Sequence, residues 1–379
     1  MRLQAHCPTL RKLKGVFMLK PYTRELSYTE AICEALDQAM HQDPSVLVIG
    51  EGVPDPKAIF NSTKGLQQTH GKNRVFDMPL SENGMTGICI GAALTGMRPV
   101  LVHQRLDFAL LSMDQLVNNA AKWSYMFNGQ ASVPLVVRMI VGRGWGQGPQ
   151  HSQSLQAMFA QVPGLKVVMP TTPYDAKGML IAAIEDPNPV LFIEHRWLHN
   201  IKEQVPEMMY RVPLDQAQCR LAGKHVTVAA FSYANFDALL AAKTLLSEFG
   251  IEIELLDMRS VRPLDVNSVI KSVHKTGHLV VTDTAQKTGS IAGELITEVV
   301  QATFGQLKKA PSRVCLPDYP APSAPSMTEH YYPTAMNLLE AVLSQLDIEP
   351  TLKQQQSIQQ CLLRPGRHDV PHLNFVGPF

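Results

Sequence analysis

The chain has 379 residues, 45% of them hydrophobic, with 34 Lys and Arg against 33 Asp and Glu. That is the composition of a globular protein long enough for two or three domains, and its near-zero net charge gives no electrostatic footprint for nucleic acid. No apolar run reaches the length of a membrane span, and the basic start MRLQAHCPTLRKLKG lacks the apolar core of a secretory signal.

In chain order, SYTEAICEALDQAM (27–40) has helical periodicity, and Ser27 with Glu30 matches a capping box. PSVLVIGEG then predicts a strand over 46–49 that ends at an acid, Glu51. NRVFDMPLSENG repeats the arrangement with Glu82, which opens a helix over 84–96 whose Gly84, Gly87, Gly91 and Ala92 permit close backbone contact. A strand at 100–103, a helix near 112–127 and the strand VPLVVRMI (133–140) follow. A glycine-rich loop carries Trp145 and His151, then come a helix near 152–160, the strand LKVVMP (165–170), a helix beginning at Pro173, and the strand NPVLFIEH. Repeated strand–helix alternation with continuous apolar strands predicts a mainly parallel α/β sheet covered on both faces. Its chemistry should gather at the carboxyl ends of the strands.

Residues 201–223 break the rhythm and read as a linker, after a first domain over 24–200. A second α/β unit runs over 224–346, with a proline-rich extended connection at 317–333 before a final helix near 334–346. Residues 1–23 read as an extension. The glutamine-rich tail 347–379 reads as either disordered or wrapped on a partner. The six cysteines, at 7, 33, 89, 219, 315 and 361, have neither metal-site nor redox-motif spacing, and fit a reducing compartment.

Six stretches carry a resemblance: VIGEGV (48–53), RVFDMPLSENGMTGICIGAALTGMRPV (74–100), DFALLSMDQLVNNAAKW (107–123), QHSQSLQAMFAQVPGLKVVMP (150–170), DAKGMLIAAIEDPNPV (175–190) and DMRSVRPLDVNSVIKSVHKTGHLVVTDTA (257–285). In order and spacing the chain resembles the beta subunits of thiamine diphosphate-dependent 2-oxoacid dehydrogenases, in the transketolase-like superfamily. The resemblance covers about 24–346. It implies a transketolase-like pyrimidine-binding domain followed by a transketolase C-terminal-like domain.

It also implies roles. Glu82 matches the acid that contacts the aminopyrimidine ring nitrogen and promotes proton removal at the thiazolium carbon. Glu51 matches a second acid near the pyrimidine, Phe108 the aromatic packed on its ring, and His151 a histidine near the substrate, with Gln150 and Ser152 as weaker neighbours. Leu135, Ala183, Asp186 and Asn188 match a backbone-carbonyl potassium loop. His195 is assigned no role.

No glycine–aspartate–glycine motif occurs, and there is no P-loop, so the diphosphate and its magnesium fall to another chain. The resemblance therefore implies an alpha subunit in an α2β2 heterotetramer and a lipoyl-bearing acyltransferase as acyl acceptor, with no nucleic acid or membrane partner. The expected compartment is cytoplasmic, or the mitochondrial matrix or plastid in a eukaryote. Val102 and Arg105 stand where many members carry an acid and an aromatic, which leaves pyruvate, branched-chain 2-oxoacids and acetoin open as substrates. Rival readings are a decarboxylase or synthase beta subunit with a different acceptor, a non-catalytic assembly subunit, and a self-sufficient transketolase-like enzyme.

Overall fold

A computed structural model describes residues 24–142, 146–363 and 368–370; Trp145 lies outside them. The first element, β1 (Glu25–Ser27), pairs antiparallel with β8 (Lys202–Gln204). Helix Tyr28–Gln42 follows, with the Ser27–Glu30 capping box formed. The main sheet of the first unit contains β2 (Val46–Gly50), β3 (Val75–Phe76), β4 (Arg98–His103), β5 (Val136–Val141), β6 (Lys166–Val168) and β7 (Val190–His195). The second unit contributes β9 (Gln218–Leu221), β10 (Val226–Ala230), β11 (Ile253–Asp257), β12 (Ser260–Arg262), β13 (Leu279–Gln286) and β14 (Ser312–Leu316).

The larger sheet has the order β12-β6-β7-β5-β4-β2-β3, and all its pairings are parallel except β12 with β6. The smaller has the order β14-β13-β10-β11-β9, with β9 antiparallel. Strand β12 comes from the second unit yet forms the edge of the first unit's sheet.

Alternate strand residues feed two cores, as the two-residue strand period requires. Val46, Val48, Val100, Val102, Val190 and Phe192 meet helices Tyr28–Gln42 and Pro173–Glu185 on one face. Ile49, Leu101, Leu191 and Ile193 face the opposite core, which runs without interruption into Phe231, Leu256 and Met258 of the second unit. A buried ionic cluster adds to this junction. Asp175 receives Arg259 at 2.9 Å and also binds Arg220, and Arg220 reaches Asp257 at 3.0 Å.

Several expectations are corrected. The helix near 112–127 is instead an irregular helical run: α at Leu106–Ala109, 3-10 at Leu110–Ser112, a π turn at Gln115–Ala120 and α again at Trp123–Met126. The π turn is visible in the bond from Ala121 N–H to the Leu116 carbonyl at 3.0 Å. The tail begins with a helix, Leu352–Leu362, fastened by a Thr351–Gln354 capping box and by buried Ile358. Gln354 donates to the Glu248 carbonyl at 3.0 Å, so part of the tail packs on this chain's own helix Ala234–Phe249. The connection 317–333 holds a short helix, Pro325–Thr328. Within this chain a Cβ on Gly91 would touch nothing, and one on Gly84 or Gly87 only the side chains of Ser81 and Gln115, so these small residues leave an open helix face.

Candidate active site

Strands β2, β3, β4, β5 and β7 run parallel, so the residues just past their ends collect along one edge of the sheet. Glu51 follows β2, Asp77 and Glu82 follow β3, Phe108 follows β4, and His151 lies beyond β5. Glu82 is the first residue of helix Glu82–Leu94 and only 8% exposed. The positive end of the helix dipole favours a carboxylate there. Thr86 holds that first turn, donating its hydroxyl to the Glu82 carbonyl at 2.7 Å, with its Oγ1 also 2.9 Å from Ser112 Oγ.

Glu51 is held from two sides. Asp77 Oδ1 accepts from Gly52 N–H at 2.9 Å, tying the loop after β2 to the loop after β3. Gln104 donates to the Glu51 carbonyl at 3.3 Å. The Glu51 carboxyl titrates above the usual carboxylate range, first because it is buried and then because Glu82 and Asp77 add negative charge. Its Oε1 is buried with no hydrogen-bond partner. An acceptor left in that state fits an incoming donor.

Phe108 is 36% exposed, and its ring meets the His151 imidazole edge-on, with centroids 5.4 Å apart and planes at 81°. Below it, Gln153 donates to Asp107 Oδ1 at 2.8 Å, while Arg105 bonds Gln147 Oε1 and the Gly142 carbonyl. Burial raises the Asp107 carboxyl and lowers the Arg105 guanidinium from their ordinary values. Gln150 and Ser152 line a groove of about 570 Å³ that runs beside His151 to Tyr319 and Tyr331 of the second unit. His195 ends β7 at this same edge, stacks on Tyr233 at 5.0 Å, accepts from Trp197 N–H at 3.2 Å, and lines a small cavity with Ser152 and Tyr233. Gly142, at φ 107°, makes room for it, since a Cβ there would come within 2.6 Å of His195 Nε2.

Sequence reasoning missed Asp77, Asp107 and His103. All three sit at or just past strand ends, the same signal that marked Glu51. Burial holds His103, the last residue of β4, near a pKa of about 4, so it is neutral.

The residues around Glu51 suit an aminopyrimidine: an unpartnered acceptor, a second acid and an aromatic face. They do not suit a diphosphate, which three neighbouring carboxylates would repel. Among the described residues, the donor atoms of Glu51, Asp77 and Glu82 do not converge as metal ligands. Of the residues expected to hold potassium, Ala183 lies in the last turn of helix Pro173–Glu185, Asp186 and Asn188 follow it, and Leu135 precedes β5, and two cations already brace this region. Arg98 donates to the Ile184 carbonyl at 2.8 Å and the Asp186 carbonyl at 3.3 Å, Lys166 pairs with the Asp186 side chain, and the Leu135 carbonyl accepts from Val190 N–H at 2.9 Å.

Comparison with known proteins agrees with this architecture. The family model "Transketolase, pyrimidine binding domain" matches residues 24–201, and "Transketolase, C-terminal domain" matches 215–338. The chain is 43% identical to the beta subunit of acetoin:2,6-dichlorophenolindophenol oxidoreductase from Cupriavidus necator, over 84% of this chain and 96% of that protein. It is 37% identical to the pyruvate dehydrogenase E1 component subunit beta of Porphyra purpurea, over 85% and 97%. It is 39% identical to the 2-oxoisovalerate dehydrogenase subunit beta of Bacillus subtilis, over 85% and 98%. A solved structure described as a split-gene transketolase, an inactive beta4 tetramer, shares the fold with a TM-score of 0.68 at 20% identity, covering 86% of this chain and 99% of that one. The chain therefore belongs to the transketolase-like family of beta subunits of thiamine diphosphate-dependent 2-oxoacid and acetoin dehydrogenases.

Proposed function

We propose that this chain supplies the aminopyrimidine half of a thiamine diphosphate site completed by an alpha subunit, and that the complex decarboxylates a 2-oxoacid of pyruvate size and passes the acyl group to a lipoyl carrier. The observation that carries this reading is the cluster of Glu82, Glu51 and Phe108 at one sheet edge, with Glu51 Oε1 lacking a partner. When bound, the cofactor supplies a carbon nucleophile for the substrate carbonyl. Glu82 holds a proton against the pyrimidine ring nitrogen, from a rigid first helical turn. Glu51 accepts from the exocyclic amino group, and Phe108 fixes the ring plane. His151, at the mouth beside Phe108, moves a proton to or from the substrate oxygen.

The alpha partner follows from what is lacking and from what is uncovered. The diphosphate and magnesium ligands are not among these residues, and helix Glu82–Leu94 leaves Gly84, Ile88 and Gly91 facing outward beside exposed Leu80 and Leu111. An α2β2 assembly would cover that face. A potassium ion on the carbonyls of Leu135, Ala183, Asp186 and Asn188 would add little to a loop braced by Arg98 and Lys166. Exchanging potassium for sodium is therefore expected to move Tm by less than about 2 °C. The free thiols of Cys33, Cys89, Cys219 and Cys315 suit a reducing compartment, cytoplasm or organelle matrix. No helix among the described residues is long and apolar enough to cross a membrane.

Acetoin is the second reading, favoured by relatives from Cupriavidus necator and Bacillus subtilis at 43% and 41% identity. The same groups serve it, because attack on a carbonyl and release of an acyl unit need the same proton handling. The test is to co-purify the chain with a candidate alpha subunit, titrate both preparations with thiamine diphosphate and magnesium, and assay pyruvate, 2-oxoisovalerate and acetoin. Tight binding by the complex alone, with turnover of one substrate, is expected. Tight magnesium-dependent binding by the isolated chain would overturn the split site, and a complex inert to all three substrates would favour an assembly role.

A further inference from the structure

Helix Tyr28–Gln42 ends where β2 begins, and the short helix Leu66–His70 ends just before β3. Their C-terminal ends therefore meet at the edge of the sheet opposite the candidate active site. Asp37 and His41 are one turn apart on the longer helix and share a face. His70 closes the shorter helix, and its side chain is only 5% exposed.

These three side chains converge. His70 Nε2 lies 2.8 Å from Asp37 Oδ1, His41 Nδ1 lies 3.5 Å from the same oxygen, and the two imidazoles meet edge-on with centroids 4.6 Å apart. One donor atom from each residue fits within 4.8 Å of the others. A tetrahedral zinc with arms of about 2.0–2.1 Å puts its ligands about 3.3 Å apart. The two observed donor separations bracket that value.

The frame around the cluster is fixed independently. Arg74, just beyond Gly71, donates to the Met40 and Asp43 carbonyls at 3.0 and 2.8 Å and so clamps the end of the longer helix to the segment carrying His70. His41 and Asp37 are 60% and 39% exposed, which gives an ion an entry path and leaves one position for water. His41 Nδ1 now contacts the Asp37 carbonyl at 2.9 Å, a helix-surface contact that a metal would replace.

The geometry points to a two-histidine, one-carboxylate site for a divalent transition metal, with zinc as the reference ion, formed by Asp37, His41 and His70. Imidazole and carboxylate donors suit zinc, copper and nickel far better than magnesium. The ion would staple the two helices behind the segment that leads from Glu51 to Glu82, at the sheet edge away from the chemistry.

The experiment is calorimetric titration of the chelator-treated full-length chain with zinc, with cobalt as a spectroscopic probe and Tm as a second readout. One zinc per chain is expected, with tetrahedral visible absorption for cobalt and a zinc-dependent rise in Tm. His41→Ala changes an exposed side chain and leaves the fold intact; it should weaken zinc at least about tenfold and abolish the Tm rise. His70→Gln should do the same. Absence of binding would overturn the site and leave Asp37 and His70 as a hydrogen-bonded pair only. Zinc that binds equally well to His41→Ala belongs to other histidines or thiols and would also overturn it.

Discussion

Two groups of neighbouring carboxylates sit in this molecule, and their surroundings differ. At the domain junction, Asp175 and Asp257 are fully buried and each is met by arginine, Asp175 by Arg220 and Arg259, Asp257 by Arg220, while Thr171 and Asn235 each donate to Asp257 at 3.0 Å. At the sheet edge, Glu51, Asp77 and Glu82 stand close with no cation paired to them among the described residues, and Glu51 keeps a buried oxygen without a donor. The first arrangement is what a buried charge needs in order to persist. The second leaves Glu51 raised by burial and by like charge, with an open acceptor, which is the state that a cofactor would relieve under the proposed function.

The sharpest break in that comparison is Glu82→Gln. In the alpha–beta complex it should lower kcat by about 10²–10⁴-fold, with circular dichroism and Tm nearly unchanged. A loss below tenfold would remove Glu82 from proton handling. Asp257→Ala should do the opposite. It leaves Arg220 paired to Asp175 alone and removes the acceptor of Thr171 and Asn235, and should destabilise the fold by about 1–3 kcal/mol in denaturant titration, while kcat per folded complex stays near wild type.

Phe108→Ala should weaken thiamine diphosphate binding by roughly three- to tenfold, the share expected of one ring contact, read by cofactor titration of the complex. The smallest effect tests the electrostatics directly. The Glu51 carboxyl is raised in the folded chain, so its burial is harmless when protonated at low pH and increasingly unfavourable as pH rises through the folded value. Glu51→Gln should therefore raise Tm at pH 8 and leave it unchanged at pH 3, while weakening cofactor binding. A Tm gain that persists at pH 3 would mean packing, not charge, is responsible.

The regular α/β alternation was legible because each strand is a continuous apolar run and each helix carries its own local signal, such as the Ser27–Glu30 box or Pro173 at a helix start. Strands β9, β12 and β14 were not, because they are three to five residues long and lack a distinctive pattern. The tail helix Leu352–Leu362 was hidden by its glutamines, since a single buried residue, Ile358, anchors it. Of the site, Glu51 and Glu82 could be read from their positions after strands. Phe108 and His151 needed the family resemblance, because an aromatic beside a core and a histidine in a loop have ordinary explanations. Asp77 carried the same after-strand signal as Glu51, but its contact with the backbone Gly52 N–H could be seen only in the fold.

Strand β12 has a consequence for how the protein can be divided. It leaves the second unit after β11, crosses to pair with β6 of the first, and is flanked by Met258 and Val269 of the core that the two units share. A proteolytic cut or gene fission between 205 and 217 would thus yield an amino-terminal fragment whose sheet ends at an unsatisfied β6, a row of backbone donors and acceptors open to any passing strand. Such a fragment is prone to aggregate, and the intact chain should melt in one transition. The two units look separable along the sequence, but mechanically they are a single piece.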